Sequence, residues 1–398
     1  MSNITFCWEL GGGYGHLASF SPLVEKLTAK GHSLSALLRD TTHATKFLDA
    51  DSVTCLQAPL HKQQRKQTSP TISYADILQR CGYDSSESLL PLVQQWRDKL
   101  SASATELIIA DHSPTALIAA RTLKIPAAAS GTGFSLPPAL YPLPSITPWL
   151  NTQPNFLLHI EACVLEAINS VLRHFDTTEL EYLHQLFDVG ESFLCTLPEL
   201  DHYPARRMDA YWGPRFTNSS GAEASWPENG QKNIFVYTNS RYKWLDALLL
   251  SLINIDANFI IHCSEMDSAT AESYRAKNTH FSLDPIRIES IAEKADLVIC
   301  HAGHGTVAAC LLMGIPLLLL PTQLEQLLLA GKLSHFKLSH HIDPRSAEQP
   351  DFAEELRSTL NDDTCQKQAK QFSEHYKGFS SQQQLDEMLF ACETLLNP

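Results

Sequence analysis

A short apolar strand that runs directly into a glycine-rich helix start constrains this chain more than any other feature. Leu297 to Cys300 is an apolar run of strand type, Val307 to Met313 reads as a helix, and Gly303 and Gly305 fall between them. Glycines at such a turn let backbone amides approach a bound group closely. The amides and dipole of a helix N-terminus favour an anion, so the segment suits a diphosphate pocket; ordinary connections between strand and helix share the same outline.

After that helix, Gly314, Ile315 and Pro316 open another apolar strand, Leu317 to Leu320, which stops at Pro321 and delivers Glu325 and Gln326 to the same edge of the sheet. Ligands of open parallel sheets bind at the carboxyl ends of the strands. A carboxylate beside an amide can hold several sugar hydroxyls, because one only accepts hydrogen bonds and the other donates and accepts. The same pair also suits a solvated helix start.

The spacing of His301, Gly303, Thr306, Gly314, Pro316, Pro321, Glu325 and Gln326 follows a donor-binding signature: a histidine, Gly-x-x-Ser/Thr, Gly-x-Pro, Pro, then an acidic residue and Gln. On these residues the chain resembles the family 1 nucleotide-sugar-dependent glycosyltransferases, which include bacterial antibiotic and plant secondary-metabolite enzymes. The resemblance implies that His301, Gly303, His304, Gly305 and Thr306 hold the donor diphosphate, and that Glu325 and Gln326 hold the transferred sugar. Thr238 and Ser240 resemble the phosphate-contacting turn after the first strand of the second domain, with Asn239 where a glycine is usual. Arg241 adds positive charge there or is solvated. Plant-type members stack a Trp on uracil and follow it with Pro-Gln; here Leu283, Pro285 and Ile286 occupy those positions, so Pro285 and Ile286 are the nucleobase candidates. Ala309 aligns with a ribose-binding Glu, and a methyl group accepts no hydrogen bond, so a dTDP-sugar is expected alongside a UDP-sugar.

The chain has 398 residues, too many for one ordinary core, and its 44% hydrophobic and 19% charged residues are those of a soluble globular protein. A net charge of −14 argues against nucleic acid or anionic membrane as a partner. The ten cysteines form no C-x-x-C and no cluster with the seventeen histidines, so they read as reduced core residues of a cytoplasmic protein, without zinc or a disulfide framework. Ile4 to Leu10 is too short for a signal segment, and Gly314 and Pro316 interrupt the apolar stretch from Ala308, so no transmembrane segment is expected.

The N-terminal half reads as strand Ile4 to Trp8, turn Gly11 to Gly15, a helix closed by Gly31, and strand Leu34 to Leu38. Leu107 to Ala110 is a strand ending in Asp111, His112 and Ser113, and Pro126 to Ser130 is a strand ending in Gly-Thr-Gly. Strands at Ile234 to Tyr237, Phe259 to His262, Leu297 to Cys300 and Leu317 to Leu320 build a second α/β unit. The expected boundaries are 1–214 for an acceptor-binding domain, 215–231 for a polar linker, 232–378 for a donor-binding domain and 379–398 for a closing helix. The expected fold is GT-B: α/β, with two Rossmann-like domains whose parallel sheets face across a cleft. The resemblance implies that the last helix, with Leu385, Met388, Leu389, Cys392 and Leu396 on one face, crosses back to the first domain.

Transfer of a sugar to a hydroxyl needs a base for the acceptor proton, and the first turn offers His16 beside Gly13, Tyr14 and Gly15. A carboxylate would orient its imidazole, and Asp111 is the best placed by topology. The family resemblance assigns these roles to the same pair, His16 and Asp111. His112 competes for the role of Asp111 or contacts the acceptor. Gly13, Tyr14, His112, Phe134, Tyr141 and Trp149 are the acceptor-pocket candidates, the last three in a proline-rich stretch that either lines the pocket or covers the core.

The expected chemistry is a single inverting displacement by a small hydroxylated acceptor, with a nucleotide-sugar co-substrate and no other cofactor or metal. The protein is expected as a monomer or homodimer. Two alternatives remain: a nucleotide-sugar 2-epimerase of the same fold, and a catalytically idle nucleotide-sugar-binding protein.

Overall fold

The computed structural model describes residues 1–13, 15–61, 69–203, 206–216 and 221–397. The chain forms two compact units, Met1–Thr217 with Ser380–Pro398, and Asn218–Phe379.

The first unit is built on β1 (Asn3–Trp8), β2 (Ser33–Leu38), β3 (Val53–Gln57), β4 (Leu107–Asp111), β5 (Ala127–Gly131) and β6 (Glu191–Leu194). They pair in parallel in the order β3-β2-β1-β4-β5-β6. Both faces are covered, which is why β1 and β4 read as continuous apolar runs rather than alternating ones. Cys7, Ile108 and Ala110 point into a core with the helices Ser86–Ala102, Pro114–Leu123 and Pro154–His174. Ile4, Phe6, Trp8, Leu107 and Ile109 point into the opposite core, with the helices Gly15–Ala29 and Ser381–Leu396.

That last helix contributes Met388, Leu389 and Cys392 to the first unit's core. Its buried Gln384 donates to the carbonyls of Trp212 (2.7 Å) and Gly213 (2.6 Å), and Lys26 pairs with its Asp386 at 2.6 Å. Trp212 and Gly213 are also tied to the β6 edge, their N–H groups donating to Leu194 and Thr196. The segment leading to Arg215 is thereby held from two sides.

The helix Pro154–His174 has the length and hydropathy to cross a membrane by composition alone. Its Ile160, Val164, Ile168 and Leu172 belong to the unit's core. Its buried Glu161 accepts from the Leu143 N–H at 2.5 Å, tying down the preceding proline-rich stretch.

The second unit repeats the plan with β7 (Lys232–Asn239), β8 (Ala257–Ser264), β9 (Thr279–Phe281), β10 (Leu297–Cys300), β11 (Leu317–Leu319) and β12 (Ser339–His341). The order is β12-β11-β10-β7-β8-β9, again parallel. Ile234, Val236, Phe259, Ile261, Leu297 and Ile299 pack with Leu248 and Leu252 of the helix Leu245–Leu252.

The stretch 221–231, expected as linker, differs from that reading. Ala222 bridges to Ile286, its N–H donates to Pro285 (2.8 Å), the Arg287 N–H donates back to it (3.0 Å), and Trp226 is buried. Arg215, the first residue of that expected linker, is buried in the first unit. All ten cysteines are free and spread over both units.

Candidate active site

In each unit the strand order reverses between the first and fourth strands, β1 with β4 and β7 with β10. Such a switch point leaves a crevice at the strand carboxyl ends. His16, Asp111 and His112 lie at the first of these places and Thr238, Ser240, His301, His304 and Thr306 at the second, whereas Glu325 and Gln326 follow β11.

At the first switch point Trp8 of β1 lies in register with Asp111 of β4. The turn after β1 carries His16 into the start of the helix Gly15–Ala29, and His16 Nδ1 lies 2.9 Å from Asp111 Oδ1. The Trp8 indole stacks on the imidazole at 5.1 Å, and the Leu10 N–H donates to the His112 carbonyl at 2.9 Å, tying the two turns together. Gly11 has φ +81° because the chain must turn back beneath the imidazole; a Cβ there would stand 2.8 Å from His16 Nε2. His112 itself takes φ +45°, a conformation that disfavours side chains by about 1–2 kcal/mol.

Asp111 is almost fully buried and shared. Its second oxygen accepts from Arg215 Nη2 at 2.6 Å. Burial would push the carboxyl up, but His16 and then Arg215 outweigh it and hold it at about 2. His112 is buried too, and burial, helped by the positive charges of His16 and Arg39, brings its ring down to about 3, so it is neutral near pH 7. Its Nε2 is buried without a hydrogen-bond partner among the described residues. Tyr74 (5.9 Å) and Phe134 (6.1 Å, edge-on) flank the ring.

Behind these turns lies Glu9, whose carboxylate accepts from the N–H of Thr115 (2.9 Å) and from its hydroxyl (2.5 Å). It caps the helix Pro114–Leu123, where Ser113 makes no side-chain cap. Burial raises the Glu9 carboxyl to about 7 against the opposing bonds from Thr115 and the charge of Arg39.

Of the acceptor-pocket residues, His112 and Phe134 join the His16 group. Gly13 (φ +84°) borders open space, Tyr141 lies against Tyr182 and is 55% exposed, and Trp149 is 44% exposed. Tyr14 lies outside the described residues.

At the second switch point Cys300 of β10 is in register with Tyr237 of β7, so the turns Thr238 to Arg241 and His301 to Thr306 emerge side by side. The left-handed residue is Ala302 (φ +60°), whereas Gly303 has φ −63° and serves as N-cap of the helix His304–Leu312. A Cβ on Gly303 would meet only open space, and Gly305 is exposed while His304 and Thr306 are half-buried.

His301 Nδ1 donates to the Leu320 carbonyl (2.8 Å), which makes Nε2 the acceptor of the neutral ring; Asn239 Nδ2 (3.0 Å) and Thr238 Oγ1 (3.1 Å) face it. Asn239 is oriented by the Arg241 N–H on its Oδ1 (2.9 Å). Burial lowers the proton affinity of His301, against the Leu320 bond. In this arrangement His301 organises the two turns, and a proton on Nε2 would be needed for it to donate to an anion.

Ser240 is exposed, its N–H donating to the Ser264 carbonyl (3.0 Å), and Arg241 pairs with Glu265 at the surface. Glu325 and Gln326 stand in the first turn of the helix Leu324–His335, with Gln326 Oε1 accepting from the Thr322 N–H and hydroxyl. Ala309 is buried. Pro285 is exposed and Ile286 half-buried, their backbone engaged by Ala222.

Sequence reasoning did not single out Arg215, Glu9 or Trp8. The strand-end position of Glu9 and Trp8 was visible, but nothing local marks Arg215, which meets Asp111 across 104 positions of chain.

Residues 245–382 match the model of the glycosyltransferase family 28 C-terminal domain. Over 383 residues the chain is 21% identical to a zeaxanthin glucosyltransferase of Pseudescherichia vulneris, covering 88% of this chain and 89% of that protein. Among solved structures it is similar to the glycosyltransferase SnogD from Streptomyces nogalater (TM-score 0.61, 14% identity, 98% of this chain and 99% of that one). It is similar too to the calicheamicin glycosyltransferase (TM-score 0.70, 14% identity, 98% of both) and to VinC in complex with dTDP (TM-score 0.65, 14% identity, 98% and 100%). These likenesses span both units and show the GT-B fold.

Proposed function

We propose that this chain, a GT-B glycosyltransferase with a family 28 C-terminal domain, moves a hexose from a UDP- or dTDP-sugar to a hydroxyl of a small, largely apolar acceptor. The carrying observation is the 2.9 Å contact of His16 Nδ1 with Asp111, at the carboxyl ends of adjacent parallel strands.

With Nδ1 committed to the carboxylate, Nε2 is the nitrogen that takes the acceptor proton. Asp111 stays ionised and stabilises the imidazolium as it forms, and Trp8 fixes the ring plane. The freed oxygen attacks the anomeric carbon from the face opposite the leaving nucleoside diphosphate, so the configuration inverts. Neutral His112, between Tyr74 and Phe134, adds a polar ring beside His16 in an otherwise aromatic setting. A small-molecule acceptor also agrees with the zeaxanthin glucosyltransferase that the chain resembles.

The donor diphosphate falls to the turn at Gly303, where the helix N-terminus favours the negative charge that grows on the leaving group. Thr238, His301 and Thr306 shape this turn, and Glu325 with Gln326 take the sugar hydroxyls. The scheme requires no metal. Ala309 offers no carboxylate to a ribose hydroxyl, which leaves dTDP and UDP as comparable donors.

The test pairs binding with turnover. Calorimetry should give UDP and dTDP affinities within tenfold, about 1.4 kcal/mol, of each other for wild type and for His16→Ala. His16→Ala should lose sugar transfer, read as added acceptor mass, by about a thousandfold, within the range for removal of a general base with its positioning. Turnover by His16→Ala within tenfold of wild type would rule out the base assignment.

A further inference from the structure

Arg215 is a second partner of the dyad carboxylate. Its Nη2 donates to Asp111 Oδ2 at 2.6 Å while His16 Nδ1 faces Oδ1 at 2.9 Å, so the two oxygens are divided between a guanidinium and an imidazole. The side chains of Arg215 and Asp111 are 5% and 2% exposed, and solvent screens their charges little. Among the described residues, Arg215 Nε and Nη1 are buried without hydrogen-bond partners, and Asp111 is the carboxylate with which Arg215 pairs. The nearby Cys195 thiol is buried and pushed up, and it stays neutral. The chain holds Arg215 in place through Pro214 and through Trp212 and Gly213, which β6 and Gln384 pin.

We propose that Arg215 is a positioning residue that orients the Asp111 carboxylate toward His16 and, by drawing on its charge, lowers the proton affinity of His16. This rests on the reading of His16 as the base. An unshared Asp111 would hold the proton of His16 more tightly, and a base that is protonated at working pH cannot accept the acceptor proton. The guanidinium therefore keeps His16 neutral to lower pH.

Three charged or titratable groups among the described residues bear on the imidazole in the contacts above. Asp111 meets it from the end of β4, His112 stands 6.3 Å away between ring centres, and Arg215 reaches it through Asp111. Trp8 stacks on it without charge, while Arg39 acts on His112 and bonds the Glu9 carbonyl. Neutral His112 adds no competing charge.

The experiment is a proton–carbon NMR titration of the His16 ring in the full chain, its signal assigned by its loss in His16→Gln. Arg215→Gln keeps a hydrogen-bond donor without charge, Arg215→Met removes both, and Arg215→Lys restores charge. His16 should titrate about one pH unit higher in the Gln and Met variants and return to within about 0.3 unit of wild type in the Lys variant. The acidic limb of the kcat/KM profile should move upward by the same amount. A folded Gln or Met variant with an unmoved His16 titration overturns the proposal, as does failure of both variants to fold, which would make Arg215 a structural residue. A moved titration with an unmoved rate profile supports the role of Arg215 and rejects His16 as the base.

Discussion

Replacing Glu9 by Gln should change how the first unit's stability responds to pH. Glu9 is buried, and its carboxyl rises from 4.5 in the open chain to about 7 in the fold. The folded state thus holds a proton that the unfolded state releases, and stability falls as pH climbs from about 4.5 to about 7. A displacement of this size corresponds to on the order of 3 kcal/mol. Gln mimics the protonated carboxyl: its oxygen can accept from the Thr115 N–H while its amide donates to the Thr115 hydroxyl, which bonds Tyr83 at 2.7 Å. Urea unfolding between pH 4.5 and 8, followed by tryptophan emission from both proteins, gives the comparison. The variant should gain on wild type by roughly 3 kcal/mol across that range, with the difference levelling above pH 7. Asp111, held at about 2, loses its contribution as pH falls below 3.8, and His112, near 3 in the fold, opposes Glu9 because its buried neutral ring costs stability as pH falls below 6.5. They titrate alike in both proteins and cancel in the difference. A difference that stays constant within about 1 kcal/mol would refute the account of Glu9 as a carboxyl held neutral by burial.

Two further substitutions address the same unit. Gly11→Ala should cost about 1–2 kcal/mol of stability from its left-handed backbone. Its methyl group would also crowd His16 Nε2 and lower kcat by about a hundredfold; kcat within threefold of wild type, with an ordinary melting curve, would exclude this. Gln384→Leu leaves the part-buried carbonyl of Trp212 and the buried carbonyl of Gly213 without their donor, and should destabilise the unit by about 2–4 kcal/mol in urea unfolding.

The inner strands of both sheets were legible because a parallel strand covered on both faces must be apolar throughout, as in Leu297 to Cys300 and Leu107 to Ala110. Their turns were legible as well, since glycine and polar residues interrupt those runs abruptly. The positions of His16 and Asp111 follow from topology, for Asp111 closes β4 and His16 follows the turn after β1, the two strands that flank the order reversal. The four edge strands, β3, β6, β9 and β12, were hidden, because a neighbour on the sheet rather than their own pattern holds them extended. Arg215 was hidden for a related reason. A charged residue beside Thr-Asn-Ser-Ser-Gly reads as solvated, and only tertiary folding reveals the carboxylate that it meets. Ala302 shows the limit of reading glycines, since the sharp backbone twist falls one residue earlier than the glycine that suggested it.

The return of the last helix to the first unit fixes an order of events during synthesis. Ile4, Phe6 and Trp8 leave the ribosome long before Met388, Leu389 and Cys392, yet they share a core with them. The intervening unit, one uninterrupted stretch of chain, can close while the nascent chain is still growing. The unit that contains His16 and Asp111 cannot, so the opening strands keep an apolar face uncovered until translation reaches the final helix.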